Sequence, residues 1–87
     1  MSKLVTKRNE MESQEHAYNQ LSEECSELAI EMSKHIRGLR RPEKIKEELA
    51  DVAFCMARVM EHEGLTLCDL EREILDKTAK RWPELLK

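Results

Sequence analysis

Helix breakers are so sparse in this chain that they cut it into three long segments and leave room for little else. Glycine and proline occur twice each in 87 residues, at Gly38, Pro42, Gly64 and Pro83, and these are positions where helices would stop and restart. Gly38 and Pro42 bracket Leu39-Arg40-Arg41, Gly64 precedes Leu65-Thr66, and Pro83 follows Trp82. The first segment is expected to be helical from about residue 6 or 9 to 37, with a break near its start that splits off a short extra helix. The second is expected from Pro42, in its first turn, to about residue 62. The third runs from about 66 to 81, with Thr66 as N-cap and Asp69 three residues on. Residues 1–8 read as a basic, frayed arm on a single domain spanning 1–87.

The fold class that follows is all-α, an antiparallel helical bundle. Charged residues make up 38% of the chain and aromatics only 3%, so one Phe, one Tyr and one Trp cannot fill the core of a β-sandwich. The apolar residues recur at helical spacing: Tyr18, Leu21, Cys25, Leu28, Met32 and Ile36 in the first segment, Ile45, Leu49, Val52, Met56 and Val59 in the second. Leu67, Leu70, Ile74 and Trp82 give the third a stripe of its own. Ile30 and Phe54 lie opposite the main stripes, which predicts a second buried face supplied by another subunit. Oligomerisation, as a homodimer or homotetramer, is also what size suggests, since so short a chain buries only roughly 60% of its unfolded surface.

Charge and cysteine content exclude several classes. A net charge of −3 and a pI near 5.6 offer no general attraction to a polyanion, so no nucleic-acid partner is expected. The one basic cluster, Arg37, Arg40, Arg41 and Lys44, lies around a turn and lacks an aromatic on which a base could stack. No apolar run approaches the ~20 residues that span a bilayer, so no membrane association is expected. Cys25, Cys55 and Cys68 are odd in number and no leader-like segment precedes them, which points to a reducing compartment, the cytoplasm.

The chemistry lies in the acids. Glu24 and Glu27, and likewise Glu48 and Asp51, are three residues apart and therefore neighbours on a helix, a like-charge pairing that weakens each helix unless a cation intervenes. At 100° per residue both pairs fall about 70° and about 130° from the centres of their stripes, in the same rotational sense. An antiparallel hairpin closed at Gly38–Pro42 brings same-sense edges to one side, so four carboxylates line one groove, with an axial offset of roughly 7 Å for side-chain reach to absorb. Like charges so close raise one another's pKa values, and a bound cation is the natural compensation. Oxygen ligands select Mg²⁺, Mn²⁺ or Ca²⁺ over Zn²⁺, and Mg²⁺ held by carboxylates commonly serves phosphate chemistry. The scattered His16, His35 and His62 offer no zinc spacing.

Glu23-Glu24-Cys25-Ser26-Glu27, then twenty residues, then Glu48-Leu49-Ala50-Asp51 resembles the E-E-x-x-E and E-x-x-D signature of the MazG-like all-α nucleoside triphosphate pyrophosphohydrolases. Gln20-Leu21-Ser22 and the closing Lys77-Thr78-Ala79-Lys80-Arg81-Trp82-Pro83 also resemble the family pattern. The resemblance implies a dimer or dimer of dimers that hydrolyses a nucleoside triphosphate, ribo- or deoxyribo-, to monophosphate and pyrophosphate. It further implies that Glu24, Glu27, Glu48 and Asp51 hold Mg²⁺, for which Mn²⁺ can substitute, and that Glu23 or Glu27 accepts the proton of the attacking water.

Lys77, Lys80 and Arg81 either complement the helix dipole or reach a triphosphate substrate. The chain has no second copy of the motif and little room for a base-recognition insert, which leaves the nucleobase open. Phosphoribosyl-ATP pyrophosphohydrolases share the same helical, acid-lined plan. A non-enzymatic helical interaction module, which would need the stripes but not the acids, is the alternative from a different class.

Overall fold

The computed structural model describes residues 2–87 and is all-α: α1 (Ser2–Met11), α2 (Gln14–Ile36), α3 (Pro42–Glu63), α4 (Leu67–Arg81) and a terminal 3₁₀ turn (Pro83–Leu86). Each boundary has a local cause. The break between α1 and α2 falls at Ser13, whose hydroxyl accepts the His16 amide at 3.1 Å as N-cap. Gly38, at φ 96°, ends the first long helix with its N–H on the His35 carbonyl and the Leu39 N–H on that of Lys34. Pro42 occupies the first turn of α3, where its missing donor costs nothing. Gly64, at φ 69°, closes α3, and Thr66 opens α4 through a reciprocal capping box with Asp69.

The expectation of a frayed arm over residues 1–8 is corrected. Met1 lies outside the described residues, but the remainder belongs to α1, which packs on α3. Val5 is buried, the Thr6 hydroxyl donates to Glu61 at 2.9 Å, and the Asn9 amide donates to the Arg58 carbonyl at 3.1 Å. A helix of ten residues is marginal alone, and these tertiary contacts hold it.

α2 and α3 form the antiparallel hairpin at the centre of the fold. The side chains it buries most deeply, apart from Ala17 and Cys55, are polar: Glu31, Glu48 and Arg58. Of the predicted stripes, Leu21, Leu28, Val52 and Val59 are half-buried, while Met32, Ile36, Leu49 and Met56 remain exposed. The packed seam is thus rotated from the stripe centres toward the acidic edges. Each helix carries a wider apolar sector than one neighbour can cover.

Arg58 is wholly buried and joins three elements. Its Nε donates to Asn9 Oδ1 at 3.0 Å and its Nη1 to Gln20 Oε1 at 2.5 Å, while Nη2 pairs with Glu12 Oε2 at 3.1 Å. Glu12 also meets Arg8 and His16. Desolvation alone would raise the pKa of Glu12, but Arg8, His16 and Arg58 together hold it below the ordinary carboxylate value.

α4 stands apart. It packs on the 3₁₀ turn and makes no more than marginal contact with the first three helices, leaving Leu67, Ile74, Leu75 and Trp82 exposed. The chain consequently exposes 6907 Å², against roughly 5,300 Å² for a compact monomer of this mass. Its radius of gyration is 15.7 Å, against about 12 Å for a compact chain of this length. No helix among the described residues is long and apolar enough to cross a membrane.

The Arg58 node yields a stability prediction. Arg58→Ala should cost about 3–5 kcal/mol in chemical denaturation, because it strands a paired carboxylate and two amide side chains. Arg58→Lys should recover only part of this, since an ammonium cannot serve three fixed partners in a guanidinium's geometry.

Candidate functional site

Midway along the hairpin, carboxylate oxygens of Glu24, Glu27 and Glu48 all lie within 4.8 Å of one another. Glu24 and Glu27 sit one turn apart on α2, and Glu48 enters from the facing turn of α3. Glu48 is buried, Glu24 half-buried and Glu27 exposed, so the cluster opens from the helix seam to solvent. Asp51 is exposed and stands outside this tightest group, yet close enough for its charge to act on Glu24. Glu23 points to solvent, apart from the cluster. Lys77, Lys80 and Arg81 are exposed on α4, and none of them meets these acids: no ion pair among the described residues involves them.

Two groups that the sequence reading did not assign to the site are at its rim. Lys44 Nζ lies 3.5 Å from Glu48 and 3.6 Å from Glu47, so the acids have a basic neighbour within the chain. Those two carboxylates hold its ammonium pKa above the ordinary value. Glu31, one turn beyond Glu27, is buried and pairs with Arg41 Nε at 3.4 Å. With Glu27, Ile30 and Glu48 they line an open concavity beside the cluster. The signal for Lys44 was present in the four-residue step to Glu48; that for Glu31 was the continuation of the Glu24–Glu27 edge by another turn.

The electrostatics are those of carboxylates whose charges are only partly compensated. Burial, followed by the charges of Glu27, Asp51 and Glu48 and a hydrogen bond shared with Glu27, raises the pKa of Glu24. Glu24 Oε2 and Glu48 Oε2 are buried without a hydrogen-bond partner. Such orphaned acceptors are costly in the interior unless something donates to them or coordinates them. A set of carboxylate oxygens suits a hard divalent ion such as Mg²⁺ or Mn²⁺, so the residues fit the metal that the motif spacing implied. Cys55, buried beside the acids, has its thiol pKa raised by desolvation and by Glu24 and Asp51, which keeps it protonated and a poor nucleophile.

A family model of the MazG nucleotide pyrophosphohydrolase domain matches residues 12–86. No curated protein and no solved structure matches the chain.

The pKa of Glu24 fixes the direction of a pH effect. In the folded chain the carboxyl keeps its proton to a higher pH than in the unfolded chain, where the ordinary value is 4.5. Its contribution to stability is therefore fully present below that value and is lost as pH rises through the raised folded one. Glu24→Gln should raise the melting temperature of the metal-free protein at neutral pH, and the gain should vanish below the ordinary glutamate pKa. A loss of stability at neutral pH would make Glu24 a structural residue.

Proposed function

Because the chain belongs to the MazG nucleotide pyrophosphohydrolase family, we propose that it hydrolyses a nucleoside triphosphate to the monophosphate and pyrophosphate, with Mg²⁺ as cofactor and Mn²⁺ as a substitute. The observation that carries this reading is the convergence of Glu24, Glu27 and Glu48 oxygens, with buried lone pairs left open among them. Glu24 and Glu48, anchored in the helix seam, are the fixed ligands; Glu27 and Asp51, more exposed, complete the set from the solvent side. Bound there, the ion supplies neutralisation of triphosphate charge and a water of lowered pKa.

The chain's own residues divide the remaining work. Glu27, or Glu23 from farther out, accepts the proton of the attacking water, being exposed and least committed to the seam. Lys44, at the rim, is placed to meet phosphate oxygens arriving at the acids, exchanging its carboxylate partners for the substrate. Lys77, Lys80 and Arg81 supply further positive charge for the triphosphate. The assembly is a homodimer or homotetramer, supported by the apolar sectors of the hairpin and of α4 that the protomer leaves bare. Its three free thiols accord with a reducing cytoplasm.

Two measurements test the reading. Mg²⁺ should stabilise the wild type in thermal unfolding, by about 2.7 kcal/mol at a hundred times its Kd, and Glu48→Gln should abolish that response. With a panel of ribo- and deoxyribonucleoside triphosphates, pyrophosphate should be the first product. The same substitution should lower turnover by more than the roughly 10- to 100-fold that loss of an outer partner costs at a metal site. Orthophosphate as the first product would overturn the assignment.

A further inference from the structure

We propose that the tip of the α2–α3 hairpin is a docking surface for an anionic lipid bilayer: Ile36 and Leu39 enter the headgroup boundary while Lys34, Arg37, Arg40 and Lys46 engage lipid phosphates. The surface lies apart from the acid cluster, and the proposal is independent of the hydrolase reading.

The first observation is charge segregation. Residues 34–46 hold six cations, Lys34, Arg37, Arg40, Arg41, Lys44 and Lys46, and one acid, Glu43. The chain as a whole is net −3, so this turn is a basic pole on an otherwise acidic molecule. Arg41 and Lys44 are paired with Glu31, Glu47 and Glu48. Lys34, Arg37, Arg40 and Lys46 enter no ion pair among the described residues, and all but the half-buried Lys34 are exposed. Each such cation close to an anionic leaflet strengthens binding about fivefold.

The second observation is what the turn holds at its apex. The Gly38 N–H bonds the His35 carbonyl and the Leu39 N–H that of Lys34, a Schellman motif. In such a turn the residue in the place of Leu39 commonly packs back on an apolar side chain near the end of the helix. Here the positions it would meet are Ser33 and Lys34, and Leu39 is left 59% exposed, with Ile36 at 80%. α1 packs toward the opposite end of the hairpin, on Arg58 and Glu61, and covers neither.

The two features together select the partner. A polynucleotide would use the cations but not two bare aliphatic side chains, and residues 34–46 include no aromatic on which a base could stack. Aliphatic side chains at an apex ringed by cations match a bilayer surface, anionic at the headgroups and apolar beneath. Such contact needs no helix able to cross the membrane, and none is present among the described residues. At 1.5 Å per residue, Glu27 stands roughly 14 Å and Glu48 roughly 9 Å from the tip ends of their helices. With the hairpin docked tip first, the acid cluster therefore clears the headgroups and stays open to solvent.

Vesicle flotation of the full chain tests this. The chain should float with vesicles of phosphatidylcholine and phosphatidylglycerol in about equal parts, not with phosphatidylcholine alone, and added salt should release it. Arg37→Ala/Arg40→Ala should lower the partition coefficient roughly 30-fold, and Ile36→Ser/Leu39→Ser should lower it as well. Both variants should keep the wild-type melting temperature, because all four side chains are exposed. Failure of the wild type to float with anionic vesicles overturns the proposal. So does flotation that the serine pair leaves unchanged, which would mean electrostatic adsorption only. Salt-sensitive binding to a single-stranded oligonucleotide under conditions where anionic vesicles are ignored would put a polynucleotide in the bilayer's place.

A depth reading is independent of the partition coefficient. In a Trp82→Phe background, Leu39→Trp should shift its fluorescence to the blue on anionic vesicles, as the indole leaves water for the acyl boundary. An unshifted spectrum on vesicles that the chain has bound overturns the docking geometry.

Discussion

Two helices meet here along a line of carboxylates, and that repulsive seam is the constraint to which the rest of the fold answers. Packing Glu24, Glu48 and Glu31 between α2 and α3 removes acids from water without satisfying every oxygen, a cost that grows as the dielectric falls. Arg41 and Lys44 offset part of it near the loop end, through Glu31 and Glu48. What holds the hairpin is placed elsewhere: the Gly38 turn at one end and the Arg58 node toward the other. The acid cluster is thus repulsive but braced, and Glu24 and Glu48 each keep a buried oxygen without a hydrogen-bond partner.

The same division explains α1. Arg58 cannot be buried alone, and the groups that satisfy it come from Asn9 and Glu12 as well as from Gln20. α1 and the α1–α2 junction are therefore the counterion and hydrogen-bond shell of an α3 residue, and only secondarily a covering for Val5. A segment too short to be helical on its own is fixed because a guanidinium in the interior needs it.

Using the seam for polar groups displaces apolar surface outward. Leu49, Met56, Met32 and Ile36 are left at the surface of the hairpin, and α4 carries a bare stripe of its own. In a larger protein these sectors would meet within one core. Here the two sectors stay apart across the capped, two-residue corner after α3, and both remain bare. The helix that lacks cover also carries Lys77, Lys80 and Arg81, apart from the acids of the hairpin.

How much of this was legible in the sequence follows from the range of each interaction. Helix boundaries were readable because they are set by neighbours in the chain: Gly38, Pro42, Gly64 and the Thr66–Asp69 box act within a turn. The pairing of Glu24 with Glu27, and their convergence with Glu48, followed from helical period and a short connection. The order of residues 2–8 was not readable, because a basic decapeptide acquires helix only from Val5, Thr6 and Asn9 meeting α3 some fifty residues away. Nor was the seam's rotation, which placed Glu31 and Arg58 inside and Leu49 outside, because periodicity measures how wide an apolar face is and not which part of it a neighbour will cover. Sequence by itself determined the helices and the acids that share an edge. Only the tertiary structure decided which of those edges is buried, since burial depends on a second surface that no local pattern contains.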